Sequence, residues 1–288
     1  MIGWLLHRST RVPILAVSIV TFWMATNPIA GRGADDLESP LRQLISMEID
    51  GRPRTAIAFI PSNPIPGKSV VFCFHGHGGS AEDAERMFRL HEELPESILV
   101  YMQGLPVQGQ LRKDKTRDQE HAGWQMNVAE NNGNDLQFFD QILVGLIERY
   151  RIDTNRIFAT GHSMGGSFTF LLWFARPDSL AAVAISGASV VQQTNQLKPK
   201  PMIHFAGRND KVIPFSGQEK TMKSVRRLNQ CDFTGKVWEA NGKLYKSPRG
   251  NDVVTYVHEG GHEFPEEAPR LIARFFEHVG GGKRSMKD

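Results

Sequence analysis

Gly161-His162-Ser163-Met164-Gly165, followed by Gly166, sets one serine among residues small enough for a very sharp turn. A serine hydroxyl is a weak nucleophile at neutral pH, so it needs a histidine base and a carboxylate to orient that base. Val257-His258-Glu259-Gly260-Gly261-His262-Glu263-Phe264-Pro265 offers His262 in a glycine-rich loop, with His258 as its rival at a strand end. Gly207-Arg208-Asn209-Asp210-Lys211-Val212-Ile213-Pro214 offers Asp210, with Asp178, Asp232 and Asp252 as other acids. A turn aspartate capping a helix after Pro214 is the structural alternative for Asp210. His75-Gly76-His77-Gly78-Gly79-Ser80 adds glycines that let backbone amides point inward. Acyl transfer needs such donors aimed at a forming oxyanion, and the amides of His77 and Met164 are the candidates. His75 and His77 also form an H-x-H pair of the kind that clasps zinc, but no third ligand stands in matching context. No metal and no cofactor is expected.

These residues must be presented by regular elements, and the chain alternates strand and helix patterns. Leu44–Ile49 and Thr55–Ile60 read as strands joined by the Asp50-Gly51 turn, an antiparallel start. Ser69–Phe74 is an apolar run suited to a strand buried on both faces, and Ser80 is placed to cap a helix from Ala81. Ile98–Met102, Arg156–Thr160, Leu180–Ile185, Met202–Phe205 and Val253–Val257 continue the strands. Helices are expected over Asp135–Tyr150, Ser163–Phe174 and Glu267–His278. The order implies a mostly parallel central sheet with helices on both faces. Each candidate site residue then follows a strand, where parallel sheets assemble their sites. Gly104 to Asn134 shows no periodicity and carries a charged stretch from Arg112 to Glu120. Trp124 within it is a candidate for stacking on an aromatic or sugar group, with closure of the core as the alternative.

Of 288 residues, 40% are hydrophobic and 23% charged, enough for a sizeable core, and a net charge of +3 gives no reason to expect nucleic acid. Arg8 and Arg11 precede an apolar run from Val12 to Ala25, followed by small residues through Ala34, the layout of an export signal. Residues 1–34 are therefore expected to be a signal peptide cut after Ala30 or Ala34. An uncleaved anchor is the alternative, and the membrane is a partner only in that case. Residues 40–280 read as a single domain and 281–288 as a flexible tail. Cys73, inside an apolar strand, and Cys231 are expected to be free structural thiols.

With these motifs placed, the chain resembles the α/β-hydrolase superfamily. More narrowly, it resembles the secreted polyhydroxybutyrate depolymerase and feruloyl/acetylxylan esterase group. The resemblance runs from HGHGG through RIFATGHSMGG and AGRNDKVIP to EGGHEFP. It implies an α/β-hydrolase fold with Ser163 as nucleophile, Asp210 as acid and His262, rather than His258, as base. Ala206-Gly207 departs from the usual His-Gly of the acid loop. The resemblance implies hydrolysis of a small-molecule or polysaccharide-linked ester. The absence of a recognisable polymer-gripping segment favours a small ester over depolymerisation. A prolyl-oligopeptidase-like peptidase and a non-catalytic binding protein on the same scaffold are the alternatives. A cysteine-type dienelactone hydrolase would need Cys at position 163.

Overall fold

A computed structural model of the chain describes residues 40–62, 66–107, 121–190 and 194–281, together with the backbone of 23–25. Most of the leader, the stretch from Arg112 to Glu120 and residues 282–288 of the tail lie outside the described residues. The strands are β1 (Trp23–Ala25), β2 (Leu41–Ile49), β3 (Arg52–Ile60), β4 (Val70–Phe74), β5 (Ile98–Met102), β6 (Leu105–Val107) and β7 (His121–Gly123). β8 (Ile157–His162), β9 (Ala182–Ser186), β10 (Met202–Gly207), β11 (Lys236–Glu239), β12 (Gly242–Tyr245) and β13 (Val253–His258) follow. The helices are α1 (Ala81–Phe88), α2 (Leu90–Glu93), α3 (Asn134–Tyr150), α4 (Met164–Ala175), α5 (Phe215–Leu228) and α6 (Ala268–Gly281).

The main sheet runs β1-β2-β3-β5-β4-β8-β9-β10-β13-β12-β11, and β6 pairs with β7 separately. From β5 through β4, β8, β9 and β10 to β13 every pairing is parallel. Both flanks are antiparallel. The β2–β3 hairpin closes through Asp50 (φ 49°) and Gly51 (φ 73°), the left-handed pair that the twist of a two-residue hairpin demands. Trp23–Ala25, set aside with the leader on sequence grounds, pairs with Leu44–Ser46. The β11–β12 extension carries no clear alternation in the sequence, and it supplies the opposite edge.

Alternation along each strand divides the interior. Val70, Phe72 and Phe74 of β4 face the layer of α3 and α4, where Phe138, Phe139, Phe168 and Trp173 are buried. Val71 and Cys73 face the layer of α1, α2 and α6, with Phe88, Leu271, Phe275 and Phe276. A central strand must therefore be apolar on both sides, which is why it reads as a continuous hydrophobic run. α4 has no charged residue and is buried along most of its length. α1 carries the expected Ser80 cap, which forms a reciprocal capping box with Asp83.

Candidate active site

The β8–α4 turn carries Ser163 at φ 55°, ψ −119°. Backbone in that region is strained by about 1–3 kcal/mol and persists only where its surroundings enforce it. Here the Ser163 amide donates to the Ser186 carbonyl at 2.8 Å. Gly165 is needed because a Cβ there would overlap the Phe74 carbonyl at the end of β4. The helix thus presses onto the sheet, and its first amides, including that of Met164, have no acceptor within α4.

β10 ends at Gly207, where a Cβ would overlap the Gly261 carbonyl, so the acid loop and the histidine loop lie in direct contact. The amides of Arg208 and Asn209 donate to the carbonyls of His258 and Gly260, at 2.9 Å each. That lacing sets His262 over the sheet end. His262 Nδ1 lies 2.8 Å from Asp210 Oδ2, and His262 Nε2 lies 2.8 Å from Ser163 Oγ. With Nδ1 donating to the carboxylate, Nε2 is left to accept the serine proton. His258 lies 3.5 Å from Glu263 instead. Asp178, paired with Lys198, and Asp252, paired with Lys246, are engaged elsewhere.

Asp210 is buried, yet α5 begins without a side-chain cap, so the aspartate does not serve as one. Its Oδ1 accepts the amides of Val212 and Ile213, both at 2.8 Å. Burial alone would raise its pKa, but the bonds from His262, Ile213 and Val212 outweigh that and hold the carboxyl below its ordinary range. His162, which sequence reasoning left without a role, packs with its ring centroid 5.1 Å from that of His262. Burial, and then the neighbouring His262, push His162 down to about 4. It therefore sits behind His262 as a neutral ring bonded to Ser186 Oγ at 3.1 Å.

The glycine loop after β4 lies against the serine. A Cβ on Gly76 would stand 3.5 Å from that of Ser163. His75 is fully buried, with Nδ1 donating to the Gly76 carbonyl at 2.7 Å and Nε2 accepting from the Gly104 amide at 3.0 Å. Both of its nitrogens are thus committed to shaping the loop. His77 is partly exposed beside His121, and burial and that neighbour lower its pKa. The Gly78 amide donates to the Ala122 carbonyl at 2.7 Å, so the β6–β7 pair braces the loop.

Trp124 is not a substrate platform. Its side chain is fully buried, stacked on Phe168 and edge-on to Phe74, and Nε1 donates to the His75 carbonyl at 2.8 Å. The indole is held by aromatic packing on one side and by this bond on its polar edge, so it supports the glycine loop from beneath.

An open cavity of about 970 Å³ lies over Ser163 and His262, lined by Gly76, His77, His162 and, beyond them, Asp83, Arg86, Met87, Lys211 and Val212. The sequence reading missed the α1 contribution of Asp83, Arg86 and Met87. The Ser80 cap, which begins α1 directly after the glycine loop, was the available signal. Among the described residues no cluster of three or more His, Cys, Asp or Glu side chains is arranged to hold a metal.

Residues 46–266 match the Esterase family model, described as "Putative esterase". The chain is 28% identical over 279 residues to feruloyl esterase D of Neurospora crassa, covering 91% of each. It is 27% identical over 187 residues to a bifunctional acetylxylan esterase/xylanase of Neocallimastix patriciarum, covering 63% of this chain and 25% of that enzyme. Among solved structures, the acetyl xylan esterase from Aspergillus awamori superposes with a TM-score of 0.58 at 15% identity, over 78% of this chain and 94% of that one. A Bacillus cereus carboxylesterase gives 0.54 at 18% identity, again over 78% and 94%. At such identities the structural likeness speaks for the α/β-hydrolase fold.

Proposed function

The chain belongs to the Esterase family and is a carboxylic ester hydrolase, and we propose that it works through an acyl-enzyme on Ser163, releasing feruloyl or acetyl groups from carbohydrate. The observation that carries this reading is the unbroken pair of 2.8 Å contacts from Ser163 through His262 to Asp210, at the floor of an open cavity.

His262 takes the Ser163 proton as Oγ attacks the ester carbonyl, and Asp210 stabilises the resulting imidazolium. The oxyanion sits between the amides of Met164 and His77, at the positive end of α4. His262 then gives its proton to the departing alcohol. Water, deprotonated by the same ring, attacks the acyl-enzyme carbonyl; the bond to Ser163 Oγ breaks, His262 returns the proton to that oxygen, and the acid leaves. Met87 and Val212 offer apolar surface to an acyl group, while Asp83, Arg86 and Lys211 offer polar partners to sugar hydroxyls. The carbohydrate substrate rests on the names of the similar enzymes from Neurospora crassa and Neocallimastix patriciarum. Residues 40–280 act in this reading as one catalytic domain, exported by the leader at 1–34. Among the described residues no helix is long and apolar enough to cross a membrane.

The test is hydrolysis of methyl ferulate, acetylated xylan and p-nitrophenyl acyl esters, with Ser163→Ala as the control. Activity that falls by about 10⁴-fold or more in the variant supports the mechanism, and the preferred ester identifies the substrate. A wild-type protein inert on all of them, and unlabelled by a fluorophosphonate, overturns it.

A further inference from the structure

We infer that Gln218 is a positioning residue for the reaction, holding the Asp210 carboxylate ionised and aimed at His262. The inference rests on the proposed roles of Ser163, His262 and Asp210. Gln218 is fully buried in the first turn of α5. Its Nε2 donates to Asp210 Oδ2 at 2.9 Å, the same oxygen that meets His262 Nδ1, and to the Ile213 carbonyl at 2.7 Å. Both partners are acceptors, so the orientation of the amide is dictated by chemistry. Oδ2 thereby meets two donors and Oδ1 another two, the amides of Val212 and Ile213. A carboxylate saturated in this way cannot rotate, and the proton is kept on His262 Nδ1.

The Gln218 amide oxygen is buried without a hydrogen-bond partner among the described residues, and near it lies a second group unused by the reaction. His204 of β10 is fully buried, and desolvation pushes it down to about 4, with Gln218 acting in the opposite direction. A neutral His204 behind the amide adds no positive charge that would compete with the His262 ring for the Asp210 carboxylate. The titratable groups around this amide are Asp210 on its own loop, His204 on β10, and His262 on the histidine loop with His162 behind it. Lys211 stands at the cavity rim. Two charged carboxylates sharing this site would favour protonation of the pair and of the imidazole beside it.

The experiment compares Gln218→Met and Gln218→Glu with wild type, using p-nitrophenyl acetate across the acid pH range, fluorophosphonate labelling and thermal melting. Gln218→Met keeps the length and removes the donors. It is expected to lower kcat about tenfold with KM unchanged, a fraction of the 10²–10⁴ that acid–base catalysis supplies. Gln218→Glu is expected to move the acid limb of kcat/KM to higher pH. Variants that lose melting temperature but keep the wild-type kcat and acid limb would reduce Gln218 to a structural role. If Gln218→Met does not fold, the nearly isosteric Gln218→Glu decides the question through its pH profile. A wild-type protein that takes no label sinks the Ser163 mechanism instead, whatever the Gln218 variants do.

Discussion

Buried polar side chains carry the residue-scale consequences of this fold. His162 and His204 are both pushed down to about 4, by burial above all. In the unfolded chain a histidine takes its proton near pH 6.5. Between these values the unfolded state binds more protons than the folded one, so stability is full above about pH 6.5 and declines towards pH 4. Each ring forfeits on the order of 2–3 kcal/mol at the bottom of that window. Asp210, held below its ordinary range, adds to acid sensitivity only at lower pH, as its folded-state pKa is crossed. Melting temperatures recorded from about pH 7.5 down to pH 4.5 are expected to hold to about pH 6.5 and then fall, and His204→Leu to flatten that slope. A melting temperature constant across the window would refute the desolvation argument. Gln218 was legible in retrospect, as one polar residue on the stripe that α5 buries with Thr221, Met222 and Val225. Trp124 was not, because the sequence does not tell a loop tryptophan that faces solvent from one that turns under the sheet.

Elements are held in place by close approaches and one buried ion pair. Gly207→Ala would drive a methyl group into the histidine loop while leaving β10 in its sheet. It is expected to lower kcat by at least tenfold through displacement of His262, with stability reduced by about 1–3 kcal/mol. Unchanged turnover would mean that the loop yields without moving the ring. Arg54 of β3 and Asp135 of α3 pair at 2.7 Å with both side chains buried. Burial is the largest influence on each, raising Asp135 and lowering Arg54. Asp135 Oδ2 also accepts the Gln125 amide at 2.7 Å, which ties α3 to the segment carrying Trp124 and so to the glycine loop. Asp135→Ala leaves a buried guanidinium unpaired and is expected to remove about 3–5 kcal/mol of stability. Adding Arg54→Met should restore most of it. Urea unfolding of the two single variants and the double variant checks this, and strictly additive losses would rule out coupling between the two residues.

Over the whole molecule, one sheet runs between the two core layers, so the residues from β2 to α6 are expected to unfold together. Calorimetry should show one transition whose van't Hoff and calorimetric enthalpies agree, and two resolved transitions would contradict the single-domain proposal. Cys73 and Cys231 are free, and burial raises the pKa of both thiols. Stability therefore owes nothing to a disulfide between them. Melting temperatures with and without dithiothreitol are expected to coincide, and a reductant-sensitive melt would show that these cysteines pair.

The sequence by itself determined the parallel α/β framework, because strands covered on both faces must be continuous apolar runs and the helices between them must be amphipathic or fully apolar. It also located Ser163 between glycines, since no residue with a Cβ fits at Gly165, and it set the order in which strand ends deliver Asp210 and His262. Tertiary structure alone decided how those loops meet, because Ser163 and His262 lie 99 residues apart in the chain and are 2.8 Å apart in space. It likewise decided that Trp124 faces the core, that His162 backs His262 and that Gln218 reaches Asp210. Each of these depends on which layer a side chain enters once the sheet has twisted and closed over its helices. Local pattern records that a residue is apolar or polar, and packing between distant segments assigns it a neighbour.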